Sequence, residues 1–496
     1  MVFTSLLWRK NGEKEEAENY YNKAMFTDFN LNVCISKINA LTRGYDISEY
    51  YRLIPREPET MEYRRLITKD MMSASVRDSF SRYAMAIEQA KKQEKNSSYS
   101  NHGAERMKWH ADALNTYSNA VEKLCEELKQ EDLSEALSEL VQYILAYLES
   151  PGYVEWKTVS EQVQKEFQNH PVYFLVQKNK VVTQEEQDKE PFRNRIFRAF
   201  RLTTEQEDAH EDFRPLTLFE ERMSERLIHS MGQKKPMSVL MDIRMDEGLV
   251  QLASDVQFYL GFFEFRKYME ERGYLFSLPQ TGSDFCVAHG YDAAMAVGSD
   301  KPVIANDFEF RDGECFFVIT GANGGGKTTF ARMVGQILYF SRIGLLVPCN
   351  RAVIPYFRNV LTHFSDEESE KNGRGKLMEE LVRLQPMVEQ ADENIFVVLN
   401  ELFTTAATRD AGIMGRRVLS HFVKSGCSGI YVTHIQALAE EGEGIVSMVA
   451  ELQEDHHTRS YRISRKPASE GEYEDSLITK YNMTYEQMKR VMKNGD

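Results

Sequence analysis

Three groups of residues in the second half of the chain have the types and spacing that phosphate chemistry requires. The first is the run Gly321-x-x-x-x-Gly326-Lys327-Thr328, which follows the apolar residues Cys315–Val318. Glycines let backbone N–H groups turn toward phosphate oxygens, and the start of a helix adds partial positive charge. In such a loop the lysine reaches the β- and γ-phosphates, and the threonine hydroxyl is a Mg²⁺ ligand. The sequence therefore predicts a site for a nucleoside triphosphate with Mg²⁺ at Gly321, Ala322, Asn323, Gly324, Gly325, Gly326, Lys327, Thr328 and Thr329.

The second group lies at the end of the apolar run Phe396–Glu401. Hydrolysis requires one residue that supports Mg²⁺ and another that orients the attacking water. Glu401 is placed to polarise that water, and Asn400 stands where an aspartate usually supports the metal. An amide oxygen accepts hydrogen bonds from metal-bound water but contributes no negative charge. We therefore expect slow hydrolysis, weak Mg²⁺ binding or both; the alternative for Glu401 is a strand-end carboxylate that faces water.

The third group is His434, which comes directly after the apolar run Gly429–Val432. A histidine at this position can reach a γ-phosphate and report its loss. The alternative is a histidine with a structural role only. We predict Lys327, Glu401 and His434 as the catalytic residues.

The elements that must position these groups are strands alternating with helices. The apolar runs Ile395–Leu399 and Gly429–Val432 read as strands, and Gly375–Ala391 reads as an amphipathic helix. Such alternation after a phosphate loop predicts an α/β domain with a mainly parallel sheet. Ligands of such sheets bind at the carboxyl ends of the strands, where all three groups fall.

The N-terminal half is predicted to be mainly helical. Lys92–His102 is polar and reads as a solvated turn between two long helices. Apolar, β-branched runs within 171–183 predict a β-hairpin. The predicted helices are Phe26–Leu41, Thr60–Lys91, Glu105–Leu128, Leu133–Glu149 and Glu247–Arg272.

The composition is that of an ordinary globular protein. The chain has 496 residues, too many for a single hydrophobic core. We predict a helical region over 1–272, an ATPase-like α/β domain over 273–466 and a C-terminal helical element over 467–496. Six cysteines without C-x-x-C spacing predict reduced core residues. No signal peptide and no apolar run of about 20 residues is found, which predicts a cytoplasmic protein without a membrane span.

The charge pattern leaves nucleic-acid binding open. A formal net charge of −15 argues against a protein that coats nucleic acid generally. A local cluster over Arg193–Arg201 interleaves arginines with aromatic residues, a pattern that can bind a nucleic-acid backbone. The alternative is a solvated helix face or a protein partner surface.

The order of these motifs resembles the ATPase domain of the MutS family, the ABC-type ATPases of DNA mismatch repair. The run from Gly321 to Thr329 resembles the family's phosphate loop, with Ala322 in place of its usual proline. Val303–Asp307 resembles the element that touches the base, with Asn306 and Asp307 kept and Val303 in place of a stacking aromatic. Val432–Leu438 resembles the histidine switch. The tail after residue 467 resembles the dimerising helix-turn-helix.

The resemblance implies ATP as the nucleotide and a homodimer with two composite sites. Each subunit would supply its own Lys327, Thr328, Glu401 and His434, and its partner would present a signature segment. Here that segment departs from the family's Gly-Arg-Gly-Thr-Ser. Its expected trans-acting residues are Thr404, Thr405, Thr408 and Asp410.

The resemblance also implies helical arms that close on DNA under the control of ATP. The chain begins directly with helices, so a shorter branch without the mismatch-binding domain is expected. Two readings follow from the sequence. The first is a slow ATP-dependent DNA-binding dimer, and the alternative is a nucleotide-gated interaction module with little or no turnover and no mismatch recognition.

Overall fold

The computed structural model of the chain describes residues 3–19, 22–42, 44–100, 103–169, 173–177, 180–184, 240–365, 375–439, 442–453 and 458–468. The chain divides into two compact units. One contains residues up to Phe3 and Ser73–Val256, and the other contains Thr4–Met72 and the chain from Gln257 onward. The fold is mixed helical and α/β, as expected. The domain boundaries predicted at residues 272 and 466 stay a prediction.

The first unit is helical up to residue 169. Two long helices, α6 (Ala74–Tyr99) and α7 (Gly103–Leu128), pack against each other more extensively than any other pair of helices in this unit. The helices α8 (Glu135–Leu148) and α9 (Pro151–Asn169) follow. Strands β1 (Tyr173–Gln177) and β2 (Lys180–Gln184) pair antiparallel, which confirms the predicted hairpin.

One helix prediction in this half, Thr60–Lys91, was wrong at its C-terminal end. The polar run from Lys92 to Tyr99 is helical, and α6 ends only at Tyr99. It contains neither proline nor glycine, so its polarity marks a solvated helix face rather than a turn. The predicted helix Leu133–Glu149 agrees with α8, and Pro151 then opens α9, a position where its missing N–H costs nothing.

The second unit begins with five short helices: α1 (Glu13–Asn19), α2 (Lys23–Asp28), α3 (Leu31–Leu41), α4 (Ser48–Arg52) and α5 (Pro58–Asp70). The single helix predicted over Phe26–Leu41 is divided, because Asn30 adopts a left-handed conformation with φ 54°. The Thr60–Lys91 prediction was wrong in the same way, since helix ends at Asp70 and begins again at Ala74.

The α/β part of this unit follows helix α10 (Glu247–Glu270), which confirms the predicted long helix. Its remaining helices are α11 (Ala293–Gly298), α12 (Lys327–Arg342), α13 (Lys376–Glu389) and α14 (Thr408–Lys424). Its strands are β3 (Gln280–Thr281), β4 (Cys286–Gly290), β5 (Asn306–Glu309), β6 (Phe316–Gly321), β7 (Arg351–Ile354), β8 (Asn359–Phe364), β9 (Ile395–Asn400), β10 (Ser428–Val432), β11 (Ile445–Leu452) and β12 (Arg459–Arg465).

Six of these strands form the main sheet, in the order β12-β11-β6-β10-β9-β8. Strands β11, β6, β10, β9 and β8 run parallel, and β12 pairs antiparallel at the edge. This confirms the predicted mainly parallel sheet. Its central strands are buried on both faces, as the continuous apolar runs indicate. A smaller sheet has the order β3-β7-β4-β5.

The N-terminal helices pack directly on the α/β elements of the second unit. The buried Asp28 carboxylate accepts a hydrogen bond from Thr362 Oγ1 of β8 at 2.7 Å. Gln336 of α12 donates to the carbonyl oxygen of Phe29 at 2.9 Å and to Asp292 Oδ1 at 2.7 Å. Buried polar groups that are paired in this way fix the register of the helices on the sheet.

The six cysteines are all free thiols, four of them buried and two partly buried. Within the described ranges, no helix is both long enough and apolar enough to cross a bilayer.

Candidate nucleotide site

The glycine-rich loop joins the central strand β6 to helix α12. Gly321, Gly324 and Gly326 have φ values of 114°, 67° and 96°, a region that side chains with a Cβ rarely adopt. A methyl group at Gly325 would lie 3.0 Å from the carbonyl oxygen of Ala322. The loop therefore needs its glycines both for conformation and for space, as a backbone cradle for phosphate does.

Lys327 opens α12 and turns its side chain back into the loop. Its Nζ donates hydrogen bonds to the carbonyl oxygens of Gly321 at 2.7 Å and Ala322 at 3.0 Å. The side chain is buried, and burial is the main cause that lowers the pKa of its amine. Asn323 and Gly324, by contrast, are exposed at the open side of the loop.

Thr328 and Asn400 are brought together although 72 positions separate them. Thr328 Oγ1 donates to Asn400 Oδ1 at 3.1 Å, because β9 ends beside the start of α12. Asn400 is buried. Among the described residues, no cluster of three or more His, Cys, Asp or Glu side chains could hold a metal ion. The Thr328 hydroxyl and the Asn400 amide are oxygen donors of the type that Mg²⁺ prefers, so this pair fits a Mg²⁺ ion.

Glu401 and His434 form the second predicted pair. His434 Nε2 lies 2.9 Å from Glu401 Oε1, since the parallel neighbours β9 and β10 end side by side. The hydrogen bond to His434 is the main cause that lowers the pKa of the Glu401 carboxyl, and the charge of Lys327 adds to it.

The backbone of Glu401 is left-handed, with φ 55°. Its N–H donates to the carbonyl oxygen of Val432 at 2.9 Å, which ties the end of β9 to β10. Phe403 has φ 61°, and its N–H is held by the buried Glu380 carboxylate at 3.0 Å. Non-glycine residues persist in this region only where the surroundings fix them, and such positions cluster at functional sites.

Asn306 and Asp307 lie at the start of β5, and their side chains hydrogen-bond to the backbone of β12 and β4, respectively. The Asn306 amide donates to the carbonyl oxygen of Tyr461 at 3.2 Å and accepts from the Ile463 N–H at 2.8 Å. Asp307 accepts a hydrogen bond from the His289 N–H at 2.5 Å. Base contact by Asn306 and Asp307 stays a prediction.

Two residues that the sequence reasoning missed lie against the loop. A methyl group at Gly324 would lie 2.9 Å from Nη1 of Arg459, and one at Gly326 would lie 3.6 Å from the Cα of Tyr461. Both belong to β12. The sequence gives only an alternating edge-strand pattern there, and nothing in it indicates that the strand crosses the loop.

The predicted signature segment lies on the surface between β9 and α14. Thr404, Thr405, Thr408 and Asp410 are exposed, and the last two fall in the first turn of α14. The structure therefore places these side chains where a second molecule can reach them. The Arg193–Arg201 cluster, and the C-terminal element beyond residue 468, lie outside the described residues.

Comparison with known proteins gives a match to a protein-family model. Residues 317–475 match the model described as MutS domain V. The matched segment begins in β6 and takes in the glycine-rich loop, Asn400, Glu401, the signature segment and His434.

Curated relatives match part of the chain. The DNA mismatch repair protein msh-2 of Neurospora crassa is 30% identical over 146 residues, 29% of this chain and 16% of its own length. The DNA mismatch repair protein MutS of Thermosipho melanesiensis is 30% identical over 196 residues, 38% of this chain and 24% of its own length. For MSH2 of Saccharomyces cerevisiae the identity is 31% over 151 residues, 30% of this chain and 16% of the relative. The matches thus span less than a quarter of the length of these relatives.

Proposed function

Since the chain belongs to the MutS family, we propose that it is a slow ATPase that works as a homodimer and couples ATP to DNA binding. The observation that carries the proposal is the meeting of Lys327, the Thr328–Asn400 pair and the Glu401–His434 pair at the carboxyl ends of β6, β9 and β10. Each group has one of the roles that hydrolysis of a triphosphate requires.

The roles follow from the chemistry of each side chain. Lys327 exchanges its two carbonyl partners for phosphate oxygens, and the loop N–H groups hold the rest of the phosphate chain. When bound, Mg²⁺ supplies charge neutralisation beside Thr328 and Asn400. Glu401 orients the attacking water and accepts its proton, since its lowered pKa keeps the carboxyl ionised at neutral pH. His434 holds Glu401 in place and senses the γ-phosphate.

Slow turnover follows from Asn400. Its neutral amide offers Mg²⁺ less electrostatic attraction than a carboxylate would. Its hydrogen bond with Thr328 keeps the two oxygens together but adds no charge.

The dimer supplies the groups that one chain lacks. Thr404, Thr405, Thr408 and Asp410 are exposed and would complete the partner's site at the γ-phosphate. The C-terminal element after residue 467 would add to the dimer contact. Free cysteines are compatible with a reducing compartment, and we place the protein in the cytoplasm.

DNA is the proposed partner because the relatives named above are DNA mismatch repair proteins. A mobility-shift series with duplex, mismatched, branched and single-stranded DNA, with and without ATP, tests this part. We expect at least one of these DNAs to bind at low salt, with an affinity that ATP changes. Failure to bind any of them at low salt would overturn it.

The ATPase part is tested by turnover of the full chain with Mg²⁺, compared with Glu401→Gln. We expect turnover to fall about 100-fold while ATP binding remains, because the amide cannot take a proton from water. The exposed Glu389→Gln is a matched control that should hydrolyse ATP as the unaltered chain does.

A second candidate function is a nucleotide-gated interaction module in which the dimer state carries the signal. The uncharged Asn400 at the metal position favours it. If the unaltered chain and Glu401→Gln bind ATP equally and neither hydrolyses it, this second function replaces the first.

A further inference from the structure

Strand β12 packs against the phosphate loop at Gly324 and Gly326. The side-chain amide of Asn306 fastens the strand there: it donates to the carbonyl oxygen of Tyr461 and accepts from the N–H of Ile463. The Tyr461 backbone, at φ 59°, packs against Gly326. The strand is therefore held at a fixed place over the glycines.

Arg459, the first residue of β12, has its guanidinium against Gly324. A methyl group at Gly324 would lie 2.9 Å from Nη1, 3.0 Å from Cζ and 3.3 Å from Nη2. Contact with three atoms of the guanidinium means that the charged end of the side chain, not its stem, meets the loop. Gly324 is exposed at the open side of the loop, where a phosphate chain would enter.

The charge of Arg459 is also felt by Lys327. Burial lowers the pKa of the Lys327 amine most, Glu401 opposes this, and Arg459 lowers the pKa further. Two cations thus approach the same short loop. A phosphate group in the glycine loop would therefore be attracted by both charges.

We propose that Arg459 is a nucleotide-binding residue that acts within its own chain and contacts the terminal phosphates of bound ATP. This inference rests on the proposed function, since it requires a triphosphate in the loop. The planar guanidinium suits phosphate oxygens because it can donate two parallel charge-assisted hydrogen bonds. Lys327 binds from inside the loop and Arg459 from the open side.

The test is a titration of the full chain with fluorescent N-methylanthraniloyl ATP and ADP. Arg459→Ala should weaken ATP binding about tenfold and ADP binding less, so that the ATP-to-ADP affinity ratio falls. Arg459→Lys should recover part of the lost affinity, because the ammonium group keeps the positive charge but cannot donate the two parallel hydrogen bonds of the guanidinium. Lys466→Ala, one residue beyond β12 and 58% exposed, is the matched control and should bind as the unaltered chain does.

Three outcomes separate the possibilities. If Arg459→Ala binds ATP as tightly as the unaltered chain while Lys327→Ala does not, the inference fails and the proposed function stands. If Arg459→Ala and Arg459→Lys lower ATP and ADP affinity equally and lower the thermal midpoint together, Arg459 only supports the loop, and the inference fails. If the unaltered chain binds neither nucleotide, both the proposed function and the inference fail.

Discussion

The phosphate loop and the signature segment lie in the same α/β unit but differ in how their functional groups are satisfied. Lys327, Thr328 and Glu401 each make a side-chain hydrogen bond within their own chain. Thr404, Thr405 and the first turn of α14 face solvent. The groups of the first region are therefore positioned by contacts within the fold, whereas those of the second are open to contact with another molecule.

This difference separates the residues that the sheet itself positions from those that it leaves exposed. The buried sheet sets the ends of β6, β9 and β10 side by side, so residues far apart in sequence meet there. The signature segment is held at its base, where the Glu380 carboxylate accepts a hydrogen bond from the Phe403 N–H. Mutations in the two regions should accordingly differ in what they change.

The largest effect is expected for Lys327→Ala. The substitution removes two hydrogen bonds that the charged amine would donate to the phosphates, so ATP affinity should fall about 100-fold. Nucleotide titration of the full chain measures it, with Lys424→Ala at the exposed end of α14 as the control. ATP affinity within twofold of the unaltered chain would show that the loop is not the nucleotide site.

A smaller effect, in the opposite direction, is expected for Asn400→Asp, which should strengthen Mg²⁺ binding. A carboxylate beside Thr328 adds a negative charge at the metal position, so the Mg²⁺ concentration needed for half-maximal turnover should fall about fivefold. The partly buried Asn394→Asp, in the turn before β9, is the matched control. If the Mg²⁺ requirement is unchanged, Asn400 does not support the metal.

The smallest effect is a pH shift in His434→Ala. The hydrogen bond to His434 lowers the pKa of Glu401, so its loss raises that pKa. The carboxylate is then protonated at a higher pH, so the acidic limb of the turnover profile should move to higher pH. His421→Ala, exposed on α14, should leave the limb in place. A limb that stays put in His434→Ala would contradict the pairing.

The sequence predicted the centre of the molecule better than its periphery. The short, continuous apolar runs that end at or just before Gly321, Asn400 and Val432 are typical of parallel strands that are buried on both faces. The role of β12 was not predictable, since its contact with Gly324 and Gly326 depends on a chain reversal more than 130 residues later. The helix over Lys92–Tyr99 was missed because a solvated helix face and a turn share the same polar composition.

The central claim is that each ATP site is built from two chains, and mixing two inactive proteins tests it most directly. Lys327→Ala lacks the loop cation, and Asp410→Ala lacks a trans-acting carboxylate; each alone should be nearly inactive. In a mixed dimer one site keeps both residues, so equal amounts of the two should recover about a quarter of the turnover of the unaltered chain. Turnover no greater than the average of the two separate proteins would contradict a composite site.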